Sequence, residues 1–289
     1  MAGKILLQHD GDDHPRVFDA VVAVDAGVDH LFRHAQVTPS TVRDLVFGAI
    51  FTRSLEKLKN TAIFIGGSNV AEGEALLAAV QKAFVGPMRC SVLFDANGSN
   101  TTAAAAVLAA ASHLPLFGAK ALVLGTGPVG QRVVQLLALE GADVCIGSRS
   151  LSKAADLAKK IGTPDSSARL HPCETSSREH LAAALEAAQV VIAAGPPGVE
   201  MLDEALWKAA PNLKVLVDLN AVPPLGVGGV QVFEKAVERH GARCYGAVGV
   251  GGLKIKIHRA AVAKLFESND QVLDAPEILA LGKSLLAGG

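Results

Sequence analysis

Three glycines, Gly125, Gly127 and Gly130, have the GxGxxG spacing of a turn that binds the pyrophosphate of a dinucleotide. The first glycine permits a tight turn, the second lets the backbone approach a phosphate, and the third lets a helix pack closely on a strand. The start of that helix supplies free N–H groups and the positive end of a dipole. The alternative is a tight strand-to-helix turn without a ligand. The motif predicts cofactor contacts from the whole turn: Gly125, Thr126, Gly127, Pro128, Val129 and Gly130.

The residues after the next apolar run indicate which dinucleotide binds. Proteins that use NAD usually have an acidic residue there for the ribose hydroxyls. This sequence instead has Ser148, Arg149 and Ser150, followed one turn later by Lys153. An arginine can hold a 2′-phosphate and stack on adenine, whereas a carboxylate would repel the phosphate. The pattern predicts NADP, with NAD as the weaker cofactor; the alternative is that Arg149 is a solvated loop cation.

A second polar stretch, DANGSNTT at 95–102, lies between an apolar run and an alanine-rich helix. It combines a carboxylate, two amides and several hydroxyls at a strand-to-helix junction, which predicts a substrate site. The simpler interpretation is a helix N-cap, for which Ser99, Asn100 or Thr101 would suffice. The candidate residues of this stretch are Asp95, Asn97, Ser99, Asn100 and Thr102.

The helix predicted at 252–267 has two polar residues, Lys254 and His258, within its apolar stripe. Burying a lysine is costly unless it is paired or lies beside an opening, so Lys254 is a candidate functional residue. The alternatives are that Lys254 extends to water and that His258 is an ordinary core histidine.

Strand and helix signals alternate along the chain, which predicts an α/β fold of two domains with parallel sheets. The expected domains are 1–113, joined by C-terminal helices at 251–289, and a Rossmann-type domain at 114–250. Ligands of such sheets bind at the carboxyl ends of strands, so four loops are expected to outline a crevice between the domains: 95–102, 125–130, 195–198 and 220–229. Further cofactor contacts are predicted at Ala194, Gly195, Pro196, Asn220 and Ala221. Further along, the sequence predicts a helix that ends near 240, a strand at 244–247 and a glycine loop at 249–252.

Composition excludes several function classes. With 19% charged residues and a net charge of −1, the chain of 289 residues has no basic surface for nucleic acid. No apolar run reaches the ~18 residues of a membrane span, and the apolar start is too short for a signal peptide. The four cysteines are widely spaced, which predicts reduced thiols in a cytoplasmic protein. We expect no metal site, since the nine histidines form no ligand pattern.

Several motifs together resemble one known family. They are Phe18-Asp19, TAIFIGG at 61–67, DANGSNTT at 95–102, the glycine turn, NAVPPLGVGG at 220–229 and GVGGLKIKIHRAAVAKLF at 249–266. This set resembles the bacterial NAD(P)-dependent methylene-tetrahydromethanopterin dehydrogenases over nearly the whole length. The stretch at about 162–186 matches least.

The resemblance implies hydride transfer from a methylene-pterin to NADP, which leaves a delocalised methenyl cation. That reaction needs no strong base, so positioning and stabilisation of positive charge would supply catalysis. By the same resemblance, Lys254 would orient the pterin and Asp95 would supply negative charge. The resemblance further implies pterin contacts from Phe18, Asn97, Ser99, Asn100, Thr102 and His258. It also implies a homo-oligomer, a trimer or a hexamer.

Two alternatives remain open at the level of sequence. The first is a methylene-tetrahydrofolate dehydrogenase with or without cyclohydrolase activity. It is disfavoured because the tyrosine-to-lysine pair of the bifunctional enzymes is absent and the single tyrosine, Tyr245, lies elsewhere. The second is a non-catalytic NADPH-binding sensor, which would have no need of DANGSNTT and Lys254.

Overall fold

The computed structural model of the chain describes residues 3–162 and 169–288. Its contacts divide the chain into two units, Met1–Thr101 with Ile255–Gly289, and Thr102–Lys254. The sequence places these boundaries at 113/114 and 250/251 instead. Both observed divisions fall inside long helices, for which a local sequence pattern has no boundary signal.

Both units are built on parallel sheets. In chain order the described strands are β1 (Ile5–His9), β2 (His30–His34), β3 (Thr61–Ile65), β4 (Ser91–Phe94), β5 (Lys120–Leu124), β6 (Asp143–Ser148), β7 (Arg169–Glu174), β8 (Val190–Ala193), β9 (Val215–Asp218), β10 (Val237–Arg239), β11 (Ala242–Tyr245) and β12 (Val272–Leu273). The first unit has the strand order β12-β4-β3-β1-β2, and every pair in it is parallel. The second unit has the order β10-β11-β9-β8-β5-β6-β7, in which only β10 is antiparallel to its neighbour.

Helices connect the strands. The described helices are α1 (Val17–Asp25), α2 (Val42–Phe51), α3 (Leu55–Leu58), α4 (Val70–Ala83), α5 (Ser99–Ala111), α6 (Pro128–Leu139), α7 (Leu151–Ile161), α8 (Arg178–Glu186), α9 (Glu204–Lys208), α10 (Ala247–Lys264) and α11 (Ala275–Ala287). Such crossovers cover both faces of a parallel sheet, which is why β3, β4, β8 and β9 are buried along their whole length. The predicted fold class, with C-terminal elements returning to the first unit, is confirmed.

The stretch before α10 differs from the prediction. Residues 231–236 form turns rather than a helix, and β10 pairs with β11 as a short antiparallel hairpin. Helix α10 begins at Ala247, so the glycines at 249–252 lie inside it instead of forming a loop. A Cβ on Gly249 would lie 1.8 Å from the backbone carbonyl oxygen of Glu234, and one on Gly246 would lie 2.1 Å from the backbone carbonyl oxygen of Gln231. These glycines therefore permit close packing of two segments.

The sheet edge at β7 also differs from the prediction. The sequence assigns no strand between 162 and 177, because the segment is polar; residues 163–168 lie outside the described part. Strand β7 is exposed along most of its length, as an edge strand can be. Cys173 of β7 forms a disulfide with Cys145 of β6. The prediction of reduced thiols is therefore wrong for this pair, while Cys90 and Cys244 are free and buried.

Candidate functional site

The glycine turn between β5 and α6 is required by the protein's own backbone at two positions. Gly125 has φ 112°, and a Cβ there would lie 2.6 Å from the Ala194 oxygen. A Cβ on Gly130 would lie 2.1 Å from the Gly125 oxygen, so the helix could not pack this closely on the strand. The third glycine, Gly127, is the N-cap of α6, and a Cβ there would meet nothing within 4 Å. Space is left at the position where a dinucleotide needs it.

The beginning of α6 has the features of an anion site. Pro128 takes the first helical position, where its missing N–H removes no helical hydrogen bond. The Gln131 side chain donates to the Thr126 oxygen at 3.0 Å, which holds the turn against the helix. Thr126 and Val129 are half-buried, and Pro128 is exposed. The predicted turn residues therefore lie around the accessible N-terminus of α6, a helix of twelve residues.

The loop after β6 contains the residues predicted to select the cofactor. The Ser148 hydroxyl is buried and accepts from the Ser150 N–H at 3.2 Å, while the Ser150 hydroxyl contacts that of Ser152. Arg149 and Lys153 are both exposed. A shallow cavity of about 270 Å³ beside this loop is lined by Thr126, Gln131, Lys153, Asp156, Leu157 and Lys160. It brings the glycine turn together with the cation predicted at Lys153.

The loops after β8 and β9 give a mixed outcome. Ala194 lies directly against Gly125, and Gly195 has no room for a side chain because Met201 Sδ would be 1.8 Å from its Cβ. Pro196 and Ala221 are exposed. Asn220 is buried and uses its side chain within its own loop, accepting from the Val222 N–H and donating to the Pro224 oxygen. The Asn220 side chain thus has a structural role in the loop, and the cofactor contact of Asn220 stays a prediction.

The same loop is held by a buried carboxylate that the sequence analysis overlooked. Asp218 at the end of β9 accepts from the Asn220 and Val227 N–H groups, both at 3.0 Å. Burial raises the pKa of its carboxyl group. Gly226 is required beside it, because a Cβ there would be 2.6 Å from Asp218 Oδ1. The sequence signal that could have identified Asp218 is an acidic residue at the end of an apolar run.

In the first unit, Asp95 caps α5. Its Oδ1 accepts from the Asn100 and Thr101 N–H groups at 2.9 and 3.0 Å, and its Oδ2 accepts from the Thr101 hydroxyl at 2.6 Å. The carboxylate is only 1% exposed. In this structure the Asp95 carboxylate is occupied by hydrogen bonds within the turn, and its catalytic role stays a prediction.

Two further residues predicted to contact substrate form hydrogen bonds within the protein. Ser99 donates to the Ala96 oxygen at 2.8 Å, and Asn100 donates to the Phe94 oxygen and to Asp274. Both side chains are fully buried and support the turn, and their contact with a substrate stays a prediction. Asn97 is exposed and Thr102 is half-buried, which leaves both able to reach a ligand. Asn97 has a left-handed φ of 56°, and its N–H donates to the Gly67 oxygen at 2.6 Å.

Residues distant in sequence meet at Gly66, just after β3. A Cβ on Gly66 would lie 3.2 Å from the Asp10 carboxylate, 3.5 Å from that of Asp19 and 3.1 Å from the Phe64 ring. Both carboxylates are buried, and burial raises the pKa of Asp10. Sequence reasoning missed Asp10 and used Asp19 only as part of a motif. The signal for Asp10 was a polar residue directly after an apolar strand.

Helix α10 contributes one predicted residue to this cluster. His258 is 1% exposed and stacks on Phe64, with ring centroids 5.6 Å apart. The Phe18 ring is its second aromatic neighbour, with a centroid distance of 6.1 Å. His258 is thus buried like a core histidine, and its contact with substrate stays a prediction. Phe18 is 45% exposed and keeps a surface on which a planar ligand could stack. Lys254, one turn before His258, is half-buried.

Another histidine of the first unit, His9 at the end of β1, predicts a pH dependence of stability. Burial and the neighbouring His34 lower the pKa of His9 to about 3. Between that pH and the ordinary pKa near 6.5, unfolded His9 binds a proton that folded His9 does not. The free energy of unfolding should therefore fall on acidification through this window, by up to about 1.4 kcal/mol per pH unit.

Urea unfolding of the wild type and of His9→Gln at about pH 5 and about pH 7 would measure this effect. The loss of stability on acidification should be smaller in the variant. His14→Gln serves as the control, because His14 is exposed. An unchanged pH dependence in His9→Gln would contradict the assignment to His9.

Comparisons with known proteins decide the family. A profile for the N-terminal domain of methylene-tetrahydromethanopterin dehydrogenase matches residues 17–97, and one for coenzyme F420-dependent NADP oxidoreductase matches 120–222. "Bifunctional protein MdtA" of Methylorubrum extorquens is 44% identical over 99% of this chain and 100% of that protein. The chain belongs to the methylene-tetrahydromethanopterin dehydrogenase family. The NAD(P)-dependent methylenetetrahydromethanopterin dehydrogenase of the same organism is 32% identical over 93% of this chain and 94% of that protein.

As a member of this family the chain is an oxidoreductase, and the resemblance found in the sequence is confirmed. Among solved structures, quinate dehydrogenase from Corynebacterium glutamicum superposes with a TM-score of 0.56 at 13% identity, covering 98% of this chain and 99% of that one. That likeness shows the dehydrogenase fold alone. Within the described residues, no helix is long and apolar enough to cross a membrane. Residues 3–162 and 169–288 contain no cluster of three or more potential metal ligands.

Proposed function

We propose that this methylene-tetrahydromethanopterin dehydrogenase family member transfers a hydride from methylene-tetrahydromethanopterin to NADP and releases methenyl-tetrahydromethanopterin. The glycine turn carries the proposal, since Gly127 leaves open space at the N-terminus of α6. Arg149 and Lys153 favour NADP over NAD, because both are exposed cations at the end of β6 and Lys153 lines a cavity with Thr126 of that turn. The two relatives from Methylorubrum extorquens, one of them named for this reaction, support the substrate.

The residues of the first unit are suited to a reaction that creates positive charge. The methylene carbon lies between two nitrogens, and loss of hydride leaves a cation delocalised over both. When bound, NADP supplies the hydride acceptor, so no side chain has to remove a proton. Buried carboxyl groups, which carry negative charge when ionised, lie just after β1 (Asp10), in the first turn of α1 (Asp19) and just after β4 (Asp95). Such fixed charge stabilises a developing cation more than water would.

The exposed residues of the same elements would bind the pterin. Phe18 offers a ring face for stacking, and Asn97 and Thr102 offer hydrogen bonds. Lys254 would orient the pterin through a hydrogen bond to its carbonyl oxygen. Asp95, Ser99 and Asn100 act indirectly, since they fix the turn that carries Asn97.

The decisive experiment follows NADPH formation by absorbance with methylene-tetrahydromethanopterin and, in parallel, with methylene-tetrahydrofolate. We expect faster turnover with the first substrate and no formyl product with either. Faster turnover with the folate would favour the methylene-tetrahydrofolate alternative, and no turnover with either would favour the sensor. The structure gives no support to a cyclohydrolase tyrosine, because the Tyr245 hydroxyl is hydrogen-bonded to His113 Nε2 at 2.7 Å.

We also propose that the protein is a cytoplasmic homo-oligomer, a trimer or a hexamer.

Replacing Arg149 with glutamate tests the cofactor preference. The substitution exchanges a cation for a carboxylate beside the predicted 2′-phosphate, so Kd for NADP should rise by about tenfold or more, equivalent to about 1.4 kcal/mol. Kd for NAD, which has no 2′-phosphate, should change little. Calorimetric titration of both cofactors measures the ratio, and Lys159→Glu on the exposed side of α7 is the charge-matched control. Equal weakening of both cofactors would contradict a phosphate contact at Arg149.

A further inference from the structure

The disulfide between β6 and β7 lies in an accessible cavity. The side chains of Asp143, Cys145, His171 and Cys173 share one face of the sheet, as the two-residue period of strands requires. That face borders a cavity of about 310 Å³ whose opposite wall is the alanine-rich side of α8. Both sulfur-bearing residues are half-buried rather than enclosed. A small thiol can therefore reach the bond.

The cavity also contains groups suited to thiol–disulfide exchange. His171 Nε2 lies 2.7 Å from Asp143 Oδ1, and the carboxylate orients the imidazole. His171 is the register partner of Cys145 on the neighbouring strand. A protonated imidazole at this position can donate a proton to the cysteine thiolate that leaves when the disulfide is cleaved. Lys120, which also lines the cavity, adds positive charge that favours an incoming thiolate.

The disulfide is coupled to the loop proposed to bind the 2′-phosphate. Cys173 is the register partner of Gly147, and Glu174 is that of Ser148. The Thr175 N–H donates to the Ser148 oxygen at 2.9 Å, so the end of β7 supports the residue before Arg149. Strand β7 forms the sheet edge, and its Pro172 has no N–H to donate to the ladder. Cleavage of the disulfide would remove the covalent link between β6 and β7 and leave hydrogen bonds, such as that from the Thr175 N–H to the Ser148 oxygen, to hold this end of β7 beside the loop.

We propose that Cys145–Cys173 is a thiol–disulfide exchange site for low-molecular-weight thiols, and that its redox state sets the affinity of the adjacent loop for NADP. One thiolate attacks a cysteine sulfur, forms a mixed disulfide and releases the other cysteine as a thiolate that takes up a proton. A second small thiolate then attacks the small-molecule sulfur of the mixed disulfide, which forms a free disulfide and releases the remaining cysteine as a thiolate that takes up a proton. Two electrons thus pass from two small thiols to the protein disulfide. The inference rests on the proposed function only for the identity of the dinucleotide.

The test compares NADP binding by the oxidised protein and by the protein reduced with dithiothreitol. Thiol titration after denaturation should find two thiols before reduction and four afterwards, since Cys90 and Cys244 are free. Kd for NADP should rise by about fivefold or more on reduction, a shift of ordinary size for coupled sites. Amide hydrogen exchange of β7 in the wild-type protein should become faster on reduction, independently of any variant.

Variants separate the pair from other cysteines and from the histidine. Cys145→Ser and Cys173→Ser should bind NADP like the reduced protein and ignore dithiothreitol, whereas Cys90→Ser should keep the full response. His171→Gln should slow reduction of the disulfide and flatten its pH dependence without changing Kd of the oxidised form. Four free thiols before treatment with dithiothreitol, or the same Kd before and after it, would overturn this inference and leave the proposed function untouched. Absence of NADP binding in both states would contradict the proposed function as well.

Discussion

Replacing Lys254 with alanine is expected to lower kcat/KM for the methylene-pterin by about 100- to 1,000-fold, the usual loss when one group aimed at the reacting centre is removed. Lys254 lies in a half-buried position of α10, next to the buried Ile257 and His258. Such a setting strengthens a hydrogen bond from an ammonium group to a ligand oxygen. Kd for NADP should not change, because the predicted role concerns the pterin.

Matched variants keep this prediction falsifiable. Lys256→Ala removes an exposed lysine from the same helix and should leave turnover unchanged. Lys254→Arg retains the charge but alters the geometry of donation, so activity should recover only in part. Steady-state kinetics would separate KM from kcat, and thermal unfolding would show that each variant is folded. Unaltered turnover in Lys254→Ala would remove Lys254 from the site and leave positioning to Phe18, Asn97 and Thr102.

The sequence predicted the elements whose signals are local. Buried strands such as β8 and β9 are continuous apolar runs, and the GxGxxG spacing is itself the geometry of the turn after β5. The polar edge strand β7 was not recognised, because an edge strand need not be apolar. The glycines at 249–252 predict a loop, but they lie inside α10, where Gly249 permits a close contact with Glu234 and Lys235.

The site was predicted less completely than the fold, for a physical reason. The type of a polar residue at a strand end does not reveal whether its side chain faces a ligand or forms hydrogen bonds with backbone N–H and C=O groups. Asp95, Ser99 and Asn100 satisfy backbone groups, whereas Asn97 between them remains exposed. Asp10 and Asp19 meet at Gly66, and His258 stacks on Phe64. These contacts join distant segments, and residue spacing along one segment does not encode them.

Replacing Gly127 with alanine is expected to raise Kd for NADP by about a hundredfold or more, because each lost hydrogen bond to a charged group costs about 1.5–3 kcal/mol. Its φ of −71° is allowed for alanine, and a Cβ there meets no protein atom within 4 Å. The free energy of unfolding should thus change by less than about 1 kcal/mol. The methyl group conflicts only with a pyrophosphate bound at the helix N-terminus.

Gly130→Ala in the same turn should behave differently, and the contrast separates binding from folding. Its Cβ would lie 2.1 Å from the Gly125 oxygen, so strand and helix must move apart at a cost of about 1–3 kcal/mol in stability. Gly130→Ala should lose both stability and NADP affinity, whereas Gly127→Ala should lose affinity alone. Gly48→Ala, at an open position of α2, should lose neither. Normal NADP affinity in Gly127→Ala would mean that the turn only connects β5 to α6, and the cofactor site would have to be sought elsewhere.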